Sequence, residues 1–265
     1  MNIQVLNPPI LAHASPARRL AGAYLEEIRC EALRLVRNPA IAFPITLMPV
    51  ALYGLFAVMI AGEPDDKDPW LGIFMFAAFS IMATSMPALF GIGTTLAMER
   101  ETGLLRLKRA QPAPAGSWLV AKIACGIAFG MIAYLPILGV ALGTGKLTMD
   151  GGAVVSMSLV MIASAIPFCA MGLMVGTLVS GPAAPGYANL IYLPGCYLSG
   201  MFFPLPQSMH WQAPIWPQFH VEQLAMHAAG VTKFQFIPLS MALGAVIGYT
   251  ALFSAVAIFR LARKG

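Results

Sequence analysis

Six apolar runs, 39–62, 70–97, 117–142, 152–180, 186–203 and 234–259, contain between them a single charged side chain, Lys122. A helix crosses a bilayer in roughly 20 apolar residues, so runs of this length predict membrane spans. Composition agrees where it matters. Charged residues make up 10% of the chain, against about 25% in soluble domains. The expected fold is therefore all-α: six transmembrane helices, an amphipathic helix before them, and a re-entrant extracellular segment before the last span.

The chain divides into a Pro-containing tail at 1–16, an amphipathic segment at 17–38 and a transmembrane domain at 39–265. The tail has no basic start followed by an apolar core, so no cleaved signal peptide is expected. In the amphipathic segment Leu20, Tyr24, Leu25, Ile28, Leu33, Leu35 and Val36 recur at near-helical spacing, interleaved with Arg18, Arg19, Arg29, Arg34, Arg37, Glu26, Glu27 and Glu31. That pattern predicts a helix lying in the headgroup plane. Asn38-Pro39 breaks it. Region 204–233, rich in Pro, Trp, His and Gln, is too interrupted to span and too apolar for a free loop. It is expected to re-enter the membrane face, with Trp211 and Trp216 at headgroup level.

The bases decide orientation. Thirteen of sixteen lie at the N-terminus, in 98–116, at Lys122 or at the C-terminus, leaving Lys67, Lys146 and Lys233 on the other side. The positive-inside rule then places both termini in the cytoplasm of a multi-pass protein of the cytoplasmic membrane. The net charge of +5 is accounted for by span ends, and no nucleic-acid partner is implied.

Several chemistries are missing. No charged residue sits near the middle of a span, where ion-coupled carriers keep one. Gly145-Lys146 lacks both the glycine five residues earlier (Val140 stands there) and the Ser or Thr after the lysine (Leu147), so it is no nucleotide loop. The acidic stretch GEPDDKDP at 62–69 lacks EF-hand spacing and reads as a solvated hairpin. The four cysteines, Cys30, Cys125, Cys169 and Cys196, form no CxxC pair and read as small buried hydrophobes. His13, His210, His220 and His227 lie outside the spans. A metal- or haem-related role for the last three, with Met209 and Met226, is a minor alternative, and no catalytic or metal site is expected.

Within the spans, Gly126/Gly130, Gly172/Gly176 and Gly244/Gly248 are small-xxx-small pairs that let helices approach closely. Six prolines, among them Pro87, Pro136 and Pro167, would kink the runs. Asn189 and Tyr192 are the polar side chains nearest a pathway. The most polar interior stretch is Met98 to Gly116, MERETGLLRLKRAQPAPAG, which reads as a cytoplasmic amphipathic segment stopped by Pro112 and Pro114.

Glu99-Arg100-Glu101-Thr102-Gly103-Leu104-Leu105, followed by Pro112 and by Lys122 at the next span, resembles the E-x-E-x-G-T-L segment of type-2 ABC transporter permeases, the membrane subunits of ATP-binding-cassette exporters with the type V fold. Leu104 stands for the family's threonine and Ala121 for its glycine. Leu198-Ser199-Gly200-Met201-Phe202-Phe203-Pro204 is similar to the family's S-G-x-x-x-P signature, and Trp216-Pro217 to the start of its re-entrant piece. The resemblance implies a dimer of two permease copies, or of one copy with a close relative, carried by separate ATPase subunits, which would bind ATP and Mg, with no cofactor in this chain. It implies coupling through Glu99, Arg100, Glu101, Gly103, Leu104, Leu105 and Arg106, with Arg29 and Arg34 of the amphipathic helix. It also implies a pathway near Asn189, Tyr192, Phe202 and Phe203 for a small amphipathic or hydrophobic cargo. A non-transporting assembly or sensor module is the other reading.

Overall fold

The computed structural model describes residues 16–56, 70–111, 113–114, 116–145 and 147–264. The tail before Pro16, the acidic stretch at 62–69, Pro112 and Lys146 lie outside them. All regular elements among the described residues are helical: α1 (Pro16–Val36), α2 (Pro39–Tyr53), α3 (Trp70–Met86), α4 (Ile92–Glu101), α5 (Leu104–Ala110), α6 (Ser117–Gly143), α7 (Gly151–Leu178), α8 (Ala184–Leu198), α9 (Pro217–Ala228) and α10 (Leu239–Lys264).

The centre of the bundle is a single rod. α3 and α4 are joined without a break by one π-helical turn, Pro87–Gly91. Pro87 has no N–H to donate and its ring crowds the preceding turn; the wider turn absorbs both without interrupting the helix. From Phe76 to Ala97 every residue of the rod is buried, sheathed by α2, α6, α7 and α9. α10 packs on α7 and α9 at the periphery. Most of its span faces outward, and leucines and isoleucines such as Ile247 and Ile258 are exposed there.

Two of the three glycine pairs make the close approaches that their spacing suggests. A Cβ on Gly172 would stand 2.7 Å from the Leu89 carbonyl oxygen, and one on Gly176 2.7 Å from that of Gly93. Backbone therefore lies against backbone where α7 crosses the rod. Gly130 does the same for α6 against Thr84, while a Cβ on Gly126 would meet the side chains of Cys169 and Ile92 at 3.0 Å. Gly244 and Gly248 face open space.

Four helices among the described residues are long and apolar enough to cross a membrane, covering Trp70–Glu101, Ser117–Gly143, Gly151–Leu178 and Leu239–Arg263. The sequence predicts six. α2 is a shorter apolar helix, and the residues that would extend it beyond Phe56 are not described. α8 has 15 residues, about 22 Å at ~1.5 Å per residue, less than the ~30 Å hydrocarbon core. Its run continues in composition to Phe203, but the helix ends at Leu198 because Gly200 takes a left-handed φ of +85°, a common way for helices to stop. Beyond it, 204–233 folds as short 3₁₀ turns around the buried helix α9.

Candidate functional site

The 98–116 stretch becomes the end of α4, a turn at Gly103, and α5. Gly103 sits at φ +75°, a conformation open to glycine at little cost, and it folds α5 back beside the rod. That turn brings charges from four helices together. Glu99, completely buried, pairs with Arg34 of α1. Lys108 Nζ of α5 lies 3.3 Å from Glu99 Oε1. Lys122 Nζ of α6 lies 3.1 Å from Glu99 Oε2, at ion-pair distance but off hydrogen-bond alignment. Lys122 donates to Glu31 Oε1 of α1 at 2.6 Å and to Thr95 Oγ1 of α4 at 3.2 Å. Lys108 is also 3.6 Å from Glu31 and 3.9 Å from Glu27.

Three acids, Glu27, Glu31 and Glu99, thus meet three bases, Arg34, Lys108 and Lys122, and the cluster is neutral. Neutrality is what permits burial. An isolated charge in this setting costs several kcal/mol, whereas each group here faces opposite charges. Burial pulls the Lys108 ammonium down, but the Glu99, Glu31 and Glu27 carboxylates outweigh it and hold it above its ordinary value.

The cluster orients α1. Its inward face is Tyr24, Glu27, Ile28, Glu31 and Leu35, seated on α6, while Leu20, Leu25 and Leu33 are exposed. A helix in the headgroup plane turns its apolar side to lipid, and Leu20, Leu25 and Leu33 are on the outer side here, while Glu27 and Glu31 face the bundle, where Lys108 and Lys122 meet them. Arg29 stays on the surface, paired only locally with Glu26 at 3.0 Å.

The two neighbours of Glu99 point elsewhere. Arg100 Nη1 donates to the Gly176 carbonyl at 2.7 Å, and Glu101 Oε2 accepts from the Gly181 N–H at 2.6 Å. Both therefore clamp the end of α4 to the end of α7. Between them lies a polar hollow of about 310 Å³, bounded by Arg100, Glu101, Leu105 and Arg106 on one side and 178–180 on the other. Leu105 is buried, and Leu104 and Leu107 are exposed. Arg109 donates to the Leu261 carbonyl of α10 at 3.4 Å.

The expected coupling residues therefore divide. Glu99, Leu105 and Arg34 face the interior of the bundle; Glu101, Leu104, Arg106 and Arg29 reach the surface or the hollow. Sequence reasoning did not assign Glu27, Glu31, Thr95 and Lys108 to the site. Lys122 carried the only warning, since a lysine inside an apolar run needs an acid partner.

The expected pathway residues do not share one face. Tyr192 is buried, its hydroxyl 2.6 Å from Ser85 Oγ on the rod. Asn189 and Phe203 are exposed. Phe202 packs on Phe79 and Tyr197, with ring centroids 5.6 Å away in each case, and with Phe203 it borders an apolar cleft of about 240 Å³ beside α2. The histidines are dispersed: Nε2 of His210, His220 and His227 hydrogen-bonds the carbonyls of Leu205, Pro214 and Ile237 respectively. No group of three metal ligands occurs among the described residues.

Residues 28–227, which hold all of the cluster except Glu27, match the family model for the ABC-2 type transporter. YvfS of Bacillus subtilis (strain 168), named as a transport permease, is 24% identical over 202 residues, covering 72% of this chain and 78% of that protein. The matched region runs from the charged face of α1, through the rod and its π turn, to α9. This chain therefore belongs to the ABC-2 type transporter family and is a membrane permease of that kind.

Proposed function

We propose that this permease is the passive half of an ATP-driven exporter, moving an amphipathic or hydrophobic compound across the cytoplasmic membrane under power from a separate ATP-binding subunit. The observation that supports it is the arrangement around Glu99. One buried carboxylate at the end of the rod is held by bases from α1, α5 and α6. A force applied to α1 or α5 is transmitted to the rod through charges that cannot separate cheaply. The hollow beside Arg100, Glu101 and Arg106 is the docking surface in this reading, where opposite charges orient a partner.

Six spans, both termini in the cytoplasm, a re-entrant 204–233 and a homodimer complete the proposal. The positive-inside distribution and the family support them.

The test is co-expression with a candidate ATP-binding subunit, purification of the complex and measurement of ATPase stimulation. Arg106→Glu, at an exposed site, should lower stimulation at least about fivefold while leaving the chain folded; a rim charge acts mainly on partner recognition. A chain that is stable and transports alone, with no ATPase travelling with it, would remove the idea.

A further inference from the structure

At the end of the rod far from Glu99, a cavity of about 220 Å³ opens between α3, α9 and the turns on either side of α9. Its wall is a connected set of rings. Phe74 lies 5.1 Å from Phe234, Phe234 6.3 Å from Phe236, and Phe236 5.1 Å from the His210 imidazole. Phe219 closes another side. Into this mainly aromatic lining, which Ser199 and Gln223 also border, α9 delivers one carboxylate, Glu222, 4% exposed.

No hydrogen-bond donor or cation among the described residues engages that carboxylate, and burial alone pushes its carboxyl up to about 8. A buried acid with neither donor nor counter-charge is costly to keep. The neighbouring titratable groups are committed elsewhere. His210 bonds Leu205, His220 bonds Pro214 and His227 bonds Ile237, each through a carbonyl. Tyr192 of α8 bonds Ser85, and Tyr249 of α10 bonds Ile215. Lys233 places its ammonium 3.9 Å from the centroid of the Trp70 ring, which itself lies 4.7 Å from Phe234. The same ammonium is 5.9 Å from the centroid of Phe234, a ring that borders the cavity.

We propose that this cavity is a binding site for a small organic ammonium, such as the head of a cationic amphiphile, with Glu222 as counter-charge and the surrounding rings as its cage. Ring faces attract cations most strongly where water is excluded, and a carboxylate beside them supplies charge neutrality on binding. The volume suits the ligand: an apolar cavity of about 150 Å³ holds benzene, so this one has room for an aromatic ring plus a short aminoalkyl arm. The site's occupancy does not depend on which ATPase drives the permease or on what it exports. With burial pushing its carboxyl up to about 8, Glu222 is expected to hold its proton in the empty cavity at neutral pH, and binding of an ammonium would expel that proton to solvent.

The experiment is calorimetric titration of the purified full-length chain in nanodiscs with phenethylammonium, and with the neutral isostere 2-phenylethanol, from pH 6 to pH 8. Phenethylammonium stays charged over that range. Its affinity should rise about tenfold per pH unit below the carboxyl's pKa, with close to one proton released per ligand. The affinity of 2-phenylethanol should stay flat. Glu222→Gln should abolish both the preference for the cation and the pH dependence. Equal affinities for the two compounds in the unaltered protein, or a cation affinity that ignores pH, would overturn the proposal even if the variant does not fold.

Discussion

The side chain under greatest constraint is Lys122, fully buried between Glu31 and Glu99. Lys122→Met leaves three carboxylates facing only Arg34 and Lys108, an uncompensated buried charge, and breaking a buried pair costs about 3–5 kcal/mol. Thermal unfolding in detergent should show a large drop, and adding Glu31→Gln should recover part of it, because contacting residues are not additive. Glu222 gives a pH signature of opposite origin. Its folded-state pKa is raised, to about 8, above the ordinary ~4.3 of the unfolded chain. The native state therefore binds more protons between those values, and stability falls as pH rises through that window. Glu222→Gln should flatten the curve of melting temperature between pH 5 and 8; an unchanged slope would mean another group titrates. Legibility at this scale was partial. The 98–109 charges stood out against an apolar chain, but Glu99 reads as a docking residue until the fold brings Arg34, Lys108 and Lys122 around it. Those partners lie 65, 9 and 23 positions away in sequence, and spacing along one helix cannot reveal them.

Among the elements, the crossing of α7 over the rod is set by backbone contact. Gly172→Ala or Gly176→Ala places a methyl 2.7 Å from a backbone oxygen, which the helices can relieve only by moving apart. Such overpacking costs about 1–3 kcal/mol, readable as a lower melting temperature. Gly244→Ala on α10 meets nothing within 4 Å and should be neutral or slightly stabilising, since alanine favours helix over glycine by up to ~1 kcal/mol. The glycine spacing was visible in sequence for all three pairs; which pairs face a neighbour was not, because small-xxx-small marks a surface without naming its partner. The long runs at 70–97, 117–142 and 152–180 were legible to within a few residues, since continuous apolarity and helical length coincide there. The run at 186–203 was not, because Gly200 ends the helix while composition stays apolar. The amphipathic lead-in is legible as a helix, but the pairing of Glu27 and Glu31 with bases of α5 and α6 is not, because those partners lie far off in sequence.

For the whole molecule, orientation can be read from thiols. Cys30 is the exposed cysteine and the other three are buried, so a membrane-impermeant maleimide should label the chain in inside-out vesicles and leave intact cells unmarked. Labelling from outside would place α1 on the wrong face. The central rod has a mechanical corollary. Its π turn at Pro87 stands about 18 Å from Glu99 and about 20 Å from Phe74, at ~1.5 Å per residue. A tilt of roughly 10° about that turn would sweep Phe74 sideways by ~3 Å, given the same rise per residue. In the proposed exporter one continuous helix would serve as a two-armed lever, so that gripping its charged tip would resize the ring-lined chamber at the opposite tip with no relay of intervening loops.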